Sequence, residues 1–208
     1  LHDAYPDTFT FAVDGLFGAS PETLVRSSGG RLSARVLAGS AVPDSTGLLD
    51  STKNRDEHDF AVRSVLDGLR PHTSELLAGD PFVLTLPNLT HLATDVTGTL
   101  TDGSSALDLV GALHPTAAVA GIPTADALSL IAELEPFDRG RYAGPVGWID
   151  GNGDGEWAIA LRCAVAADGH VTAYAGAGIV AASDPDAELA ETDLKFAPIR
   201  DALAESAG

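Results

Sequence analysis

Two glutamates one helical turn apart are the clearest candidates for chemistry in this sequence. Glu188 and Glu191 stand in the stretch DAELAETDLK, which has a helical pattern rich in Ala, Leu and Glu. Residues at i and i+3 project from the same face of a helix, so both carboxylates could point at one hard cation. Mg²⁺ takes one or two carboxylates with waters and substrate oxygens, and Glu57 in KNRDEHDF could add a ligand from another helix. The alternative is solvated surface charge, which explains most acidic pairs at this spacing.

A charged residue and a glycine-rich run near the end of the chain could hold an anion. Arg162 lies in the apolar stretch WAIALRCAV, where its neighbours predict burial and a buried ion needs a partner. An arginine that faces outward is the alternative. The run YAGAGIV, residues 174–180, would let backbone N–H groups approach a carboxylate, although a tight strand bend explains it equally well.

Other kinds of catalytic site receive less support. The histidines His58, His91 and His114 do not form a His/Glu metal pattern, and each is more often a structural residue. The sequence has no GxSxG elbow, and Cys163 lies beside Arg162 in a strand-like run. The glycine-rich run does not match GxGxxG, so neither a nucleophile nor a nucleotide site is indicated.

The charge of the chain restricts its partners. Acidic residues outnumber basic ones 30 to 12, for a formal charge of −18, and the only lysines are Lys53 and Lys195. Nucleic acid is therefore not expected as a partner, because binding it needs clustered cations. An anionic substrate would be repelled unless a bound cation or a local arginine reverses the sign at the site.

The cysteine content and hydropathy predict a cytoplasmic protein. Cys163 is the single cysteine, which excludes an internal disulfide and a multi-cysteine zinc site. No run approaches the roughly 20 apolar residues of a membrane span, and residues 1–15 do not resemble a signal peptide. The sequence contains no methionine and opens at Leu1, so we interpret it as a fragment, with initiator removal as the alternative.

The elements that must position these residues begin with strands. Residues 8–18 and 22–40 carry short apolar runs broken by Gly-Gly, which predicts a hairpin. Apolar residues recur at helical spacing between 49 and 78 until Pro71 stops the pattern. Segment 82–100 alternates apolar and polar residues and predicts strands interrupted at Pro87-Asn88.

The second half combines helices with further strands. Helices capped at Ser104 and Thr124 are predicted up to Leu113 and Leu134. The runs 144–150, 156–165 and 170–180 predict an antiparallel meander, and a helix follows from Asp186 to Leu203. Because these elements occur in blocks, we expect an α+β fold, with residues 1–208 forming one domain or most of one.

Nine motifs in a fixed order resemble the chorismate-utilising enzymes, and they cover nearly the whole chain. In sequence order they are FGASPETLVR, LAGS, KNRDEHDF, HLATDVTG, LHPTAAVAGIP, ELEPFDRGRYAGPVGW, GEWAIALRCA, YAGAGIV and ETDLK. The stretch HPTAAVAGIP is similar to the isochorismate synthase version, and Thr124 follows it where salicylate synthases have lysine. The resemblance implies a layered α+β fold with large antiparallel sheets flanked by helices, here without its N-terminal part.

The resemblance also implies roles for individual residues. Glu22, in the SPE motif, matches the general acid that protonates the departing C4 hydroxyl of chorismate. Glu57 and Glu191 match the principal Mg²⁺ ligands, and Glu188 matches a supporting acidic position. His91 matches a pocket histidine and is placed with the catalytic residues, although its role is open. The substrate-binding positions that match are Gly39, Ser40, Ala118, Arg162, Gly176, Ala177, Gly178 and Lys195.

These roles predict an Mg²⁺-dependent isochorismate synthase that acts on chorismate, a dianion. The general-base lysine of the family lies upstream of the SPE motif, and no residue of this chain matches it. The alternatives are a salicylate synthase of the same family, or a fragment that binds chorismate and Mg²⁺ and needs its N-terminal segment as a separate piece. The product could feed menaquinone, siderophore or salicylate biosynthesis, and neighbouring genes would decide which.

Overall fold

The protein combines antiparallel strands with helices in one α+β arrangement. The structure is a computed structural model that describes residues 1–41, 47–87 and 89–206. In these ranges the strands are β1 (Phe9–Val13), β2 (Leu16–Ser20), β3 (Thr23–Ser28), β4 (Arg31–Ala41), β5 (Thr73–Ala78), β6 (Phe82–Thr85), β7 (Thr90–Leu100), β8 (Pro145–Ile149), β9 (Gly155–Ile159), β10 (Cys163–Ala167) and β11 (His170–Tyr174). The helices are α1 (Thr52–Leu69), α2 (Ala106–Leu113), α3 (Thr124–Leu134) and α4 (Pro185–Ser206), with a short 3₁₀ turn at Arg70–His72.

The strands form two antiparallel sheets. The smaller sheet has the order β1-β2-β10-β11, and the larger has the order β5-β7-β4-β3-β9-β8 with β6 also paired to β7. β4 pairs with β7 along almost its whole length, from Arg31 opposite Thr99 to Ala41 opposite Thr90. These sheets and their flanking helices confirm the fold class predicted from the sequence.

The chain passes from one sheet to the other at two neighbouring points. Pro21 and Glu22 link β2 of the smaller sheet to β3 of the larger one, and residues 160–162 link β9 back to β10. The two links are joined by backbone hydrogen bonds, since Ala19 N–H donates to the Arg162 carbonyl and Ile159 N–H donates to the Glu22 carbonyl, both at 3.2 Å. Glu22 and Arg162 therefore lie side by side at the seam between the sheets.

Helix α1 packs on the larger sheet through one apolar face. Ser51 caps the helix by accepting a hydrogen bond from Asn54 N–H, and the buried residues Ala61, Val65 and Leu69 recur at helical spacing. Together with α2 and the inner faces of β3 and β4, they form the main core of the described chain. This packing fixes the first turns of α1, which carry Glu57, relative to β4.

β4 contains a bulge where it passes the start of α1. The register against β7 shifts between Ala38 and Ser40, and Gly39 has a φ of +76°. A β-carbon on Gly39 would lie 3.0 Å from both the Cβ and the carbonyl oxygen of Asn54. Position 39 requires glycine, because its backbone is left-handed and because α1 approaches it closely.

The prediction of one strand over residues 156–165 was wrong. The run divides into β9 and β10, which belong to different sheets, so 144–180 is not a single meander. Arg162 lies between these strands with a φ of +48°, not inside a strand as predicted. The third run, predicted over 170–180, ends as β11 at Tyr174, and residues 175–180 are irregular.

Both predicted helix caps were displaced by one residue. The α2 cap is Ser105, which accepts from Asp108 N–H in a capping box, instead of Ser104. The α3 cap is Pro123, while the Thr124 hydroxyl donates to the Gly121 carbonyl. The predicted break at Pro87-Asn88 falls between β6 and β7, and Asn88 lies outside the described residues. In the described ranges, no helix has the length and apolar character that crossing a membrane requires.

Candidate active site

A cleft that is partly open to solvent lies over the seam between the two sheets. Eleven of the thirteen site residues predicted from the sequence line it. They are Glu22, Gly39, Ser40, Glu57, His91, Ala118, Arg162, Gly176, Ala177, Gly178 and Lys195. The fold thus brings together residues from β4, β7, α1, α4 and the loops around residues 118, 162 and 177.

Glu22 is a buried carboxyl group at the floor of the cleft. Only 5% of the residue is exposed, and it occupies the link where the chain leaves the smaller sheet. Burial raises its pKa to about 8, although the nearby charges of Arg162 and Lys195 and a hydrogen bond from the Leu37 backbone act in the opposite direction. A carboxyl group of this pKa is protonated at neutral pH and can donate a proton.

Arg162 is the first of three side chains that are linked in a row by hydrogen bonds. Its Nη2 group donates to His91 Nε2 at 3.2 Å, and His91 Nδ1 lies 2.9 Å from the Ser40 hydroxyl. Because a guanidinium only donates, His91 Nε2 must accept, so the imidazole is neutral and carries its proton on Nδ1. Burial, reinforced by the charges of Arg162 and Lys195, lowers the pKa of His91 well below its usual value, which agrees with this neutral form.

Glu57 extends from α1 into the cleft between two glycines. Gly39 N–H donates to its carboxylate, and its Oε1 atom occupies the position that a β-carbon on Gly178 would need. Burial raises the pKa of Glu57, and the charge of Glu191 raises it further. The charges of Glu57 and Glu191 therefore repel each other, although the two residues are 134 positions apart in sequence.

Glu188 and Glu191 of α4 each form an ion pair with one of the two lysines of the chain. Glu191 Oε1 lies 2.5 Å from Lys195 Nζ, which also donates to the Gly176 carbonyl at 3.0 Å. Glu188, of which 6% is exposed, accepts a hydrogen bond from Lys53 on α1. Glu188 and Glu191 do share one face of a helix, as the sequence predicted. In the chain as described, however, no three His, Cys, Asp or Glu side chains converge as a ready metal site.

Burial shifts the pKa values of the basic and acidic groups of the site in opposite directions. It lowers the pKa of Lys195, partly offset by Glu191, and it lowers the pKa of Arg162. Burial alone would raise the pKa of Glu188, but hydrogen bonds from Lys53 and Ser183 outweigh it and hold that pKa below its usual value. The cleft therefore contains buried cations and a neutral acid beside ionised carboxylates. This combination suits a dianionic ligand accompanied by a divalent cation.

Among the cleft residues that the sequence analysis did not predict, Arg139 and Tyr142 carry polar side chains. Arg139 binds Glu135 through Nε at 2.7 Å and Nη2 at 2.5 Å, and its Nη1 donates to the Val119 carbonyl at 2.9 Å. Tyr142 stacks on Tyr174 with ring centroids 5.4 Å apart. Both residues belong to the motif ELEPFDRGRYAGPVGW, where a cation directly before Gly140 and an aromatic ring between Gly140 and Gly144 are the signal that could have identified them.

The architecture is that of enzymes which use chorismate. The structure of the menaquinone-specific isochorismate synthase MenF from Escherichia coli matches 89% of this chain and 45% of its own, with a TM-score of 0.78 and 34% identity. Anthranilate synthase component I from Streptococcus pneumoniae matches 94% of this chain and 46% of its own, with a TM-score of 0.83 and 30% identity.

The sequence comparisons give the same family. Residues 1–204 match the family described as chorismate binding enzyme. The isochorismate synthase EntC of Escherichia coli is 44% identical over 206 residues, which are 92% of this chain and 53% of EntC. This chain belongs to the chorismate binding enzyme family, and it spans about half of the length of the curated relatives it matches.

Proposed function

We propose that the chain is the chorismate-binding catalytic part of an isochorismate synthase. The observation that carries this proposal is the neutral, buried Glu22 beside the cations Arg162 and Lys195 in one cleft. Isochorismate formation adds water at C2 of chorismate and releases the C4 hydroxyl, so atoms balance without a further reactant. Among the reactions of the family, isochorismate formation is supported because similar proteins such as EntC and MenF are named isochorismate synthases.

Glu22 is proposed as the general acid. The departing hydroxyl takes its proton from the carboxyl group as the C4–O bond breaks, and water leaves. A pKa of about 8 keeps the group protonated at neutral pH and still lets it transfer the proton. The general base that accepts a proton from the attacking water has no matching residue in this chain.

Arg162 and Lys195 are proposed to hold the carboxylates of chorismate, together with the backbone of residues 176–178. Their buried charges are worth more to an anion than exposed ones would be, because the local dielectric is low. His91 accepts from Arg162 and so acts as a positioning residue for the guanidinium. Gly39, Ser40 and Ala118 line the same cleft and leave room for the ring.

Glu57 and Glu191 are proposed to hold Mg²⁺, with Glu188 in support. The donor set fits, because Mg²⁺ is bound in proteins through one or two carboxylates with its remaining positions left to water and substrate oxygens. The like charges of those two carboxylates raise the pKa of Glu57, and a cation between them would relieve that repulsion. When bound, Mg²⁺ would neutralise substrate charge and polarise a carboxylate oxygen.

The test is product analysis on the protein at its full natural length. Incubation with chorismate and MgCl₂, followed by chromatographic separation, should give isochorismate as the main product. EDTA should abolish the conversion, and added MgCl₂ in excess should restore it. Salicylate as the main product would replace the proposal by a salicylate synthase, and unchanged chorismate would overturn it.

A further inference from the structure

Lys53 is the one lysine that has no role in the proposed chemistry. It lies at the acidic cluster, by which we mean the proposed cation ligands Glu57, Glu188 and Glu191. It occupies the first turn of α1, one turn before Glu57, and it forms an ion pair with Glu188 in the first turn of α4. Only 7% of the Glu188 side chain and 28% of the Lys53 side chain are exposed. The pair therefore joins α1 to α4 through two residues that are 135 positions apart in sequence, in a partly buried setting.

The position is notable because the chain has so few lysines. Both lysines, in a sequence with a formal charge of −18, are ion-paired to glutamates of α4, Lys53 to Glu188 and Lys195 to Glu191. Lys195 also faces the cleft, whereas Lys53 approaches the cluster from α1. Burial would lower the pKa of Lys53, but Glu188, followed by Glu57 and Glu191, raises it instead. The ammonium group therefore interacts with all three carboxylates of the proposed cation site.

We propose that Lys53 is a tethered competitor that lowers the affinity of this site for a divalent cation. A carboxylate that neutralises an ammonium group attracts Mg²⁺ less strongly, and the ammonium group also repels the ion directly. The inference rests on the proposed Mg²⁺ site, which it deepens by naming the residue that sets its affinity. A residue that merely fastened α4 to α1 would have the opposite effect, because its loss would disorder the ligands.

The test is calorimetric titration of MgCl₂ into the full-length protein without substrate. Lys53→Met should lower the Kd for Mg²⁺ by roughly fivefold or more, since the ammonium group no longer competes. Lys53→Arg keeps the charge and should leave the Kd near the wild-type value. Circular dichroism would establish that each variant is folded.

Arg55→Met is the matched control. Arg55 is exposed two residues further along α1, so the variant removes the same unit of charge without touching Glu188. Its Kd should change by less than about twofold, because exposed charges are screened by salt. In a Glu188→Gln background, Lys53→Met should lose most of its effect, since the two residues act as a pair.

Each result separates the inference from the proposed function. Equal changes in Lys53→Met and Arg55→Met, or a weaker Kd in Lys53→Met, would overturn the role of Lys53 while the Mg²⁺ site remained. Wild-type protein that converts chorismate but binds no Mg²⁺ would overturn the metal site and this inference together. Formation of a product other than isochorismate would overturn the proposed function and leave the calorimetric result standing.

Discussion

Glu22 illustrates how a single position acquires its chemistry from its surroundings. An exposed glutamate is ionised at neutral pH and cannot act as an acid, whereas burial in the link between β2 and β3 raises the pKa of Glu22 to about 8. Arg162 and Lys195 limit that rise, because each favours the ionised form. The same neighbours that would hold the substrate thus keep the acid able to release its proton.

Replacing Glu22 by glutamine should lower kcat by roughly 10²–10⁴-fold, because the amide cannot donate the proton that a general acid supplies. With Glu22 as the proposed general acid, only its protonated form would be active, so kcat/KM should be constant at low pH and fall as the pH rises through about 8. The residual activity of Glu22→Gln should lack this decline. Steady-state kinetics between pH 6 and about 9.5 measures both effects, and full activity in the variant would remove Glu22 from this role.

His91 should prove to be a positioning residue and not a proton donor. His91→Ala should raise KM by about tenfold or more, because Arg162 loses the acceptor that orients it, while the decline with pH set by Glu22 remains. His91→Gln offers an amide oxygen as acceptor and should recover most of the loss. ¹⁵N NMR of the imidazole should show a neutral ring protonated on Nδ1. If His91→Ala instead lowered kcat, left KM unchanged and removed the decline of activity with pH, His91 would be a proton donor.

The sequence indicated most of the residues in the cleft but not their partners. Glu22, Glu57 and Arg162 were identified through motifs, whereas the Lys53–Glu188 pair joins segments with no local relation. The neutral state of His91 also depends on Arg162, which is 71 residues away. Long-range contacts of this kind follow from the sheet topology, which residue types and spacing do not specify.

At the scale of elements, the bulge in β4 determines where α1 can approach. Gly39 and Gly30 share a φ of +76°, but only Gly39 faces the backbone of Asn54. The bulge also directs Gly39 N–H toward Glu57. One glycine therefore serves both the packing of α1 and the position of a proposed cation ligand.

Gly39→Ala should lower the free energy of unfolding by about 2–4 kcal/mol, because it adds a clash with Asn54 to the cost of a left-handed alanine. Gly30→Ala is the control, since its β-carbon would meet nothing within 4 Å, and it should cost about 1 kcal/mol. Urea denaturation followed by circular dichroism gives both values. Equal costs in the two variants would show that the contact with α1 does not constrain the bulge.

The local patterns predicted most elements and failed where a strand changes sheets. Short apolar runs broken by Gly-Gly predicted the strands of residues 8–40, helical spacing predicted α1, and a pattern rich in Ala, Leu and Glu predicted α4. Residues 156–165 carry no glycine or proline that marks a break, and both halves are apolar. Only the separate pairing of β9 with β3 and of β10 with β2 reveals the division.

Acidic and basic residues are unevenly distributed over the whole molecule. A formal charge of −18 follows from composition alone, whereas the placement of Lys195, Arg162 and Arg139 around one cleft follows from the fold. Much of the acidic charge is exposed, as at Asp56, Asp59 and Glu75. These surface charges repel one another in the compact state, while the cleft retains a local cationic character.

Added salt should therefore stabilise the folded chain. Raising NaCl from about 20 to 300 mM shortens the Debye length from roughly 20 to 6 Å and screens the repulsion between surface carboxylates. The midpoint of thermal unfolding should rise by several degrees, as measured by circular dichroism. An uncharged solute at the same osmolality is the control. A midpoint that falls with NaCl would mean that attractive pairs outweigh the repulsion.

The seam between the sheets also has a consequence for how the protein folds. β3 must find β9, and β2 must find β10, across more than 120 residues before Glu22 and Arg162 become neighbours. Contacts between distant parts of a chain form slowly, because a long loop must close first. The acid and the guanidinium should therefore meet late in folding, after hairpins such as β1–β2 and β10–β11 have formed. A partly folded chain would then contain native strands before it could bind an anion.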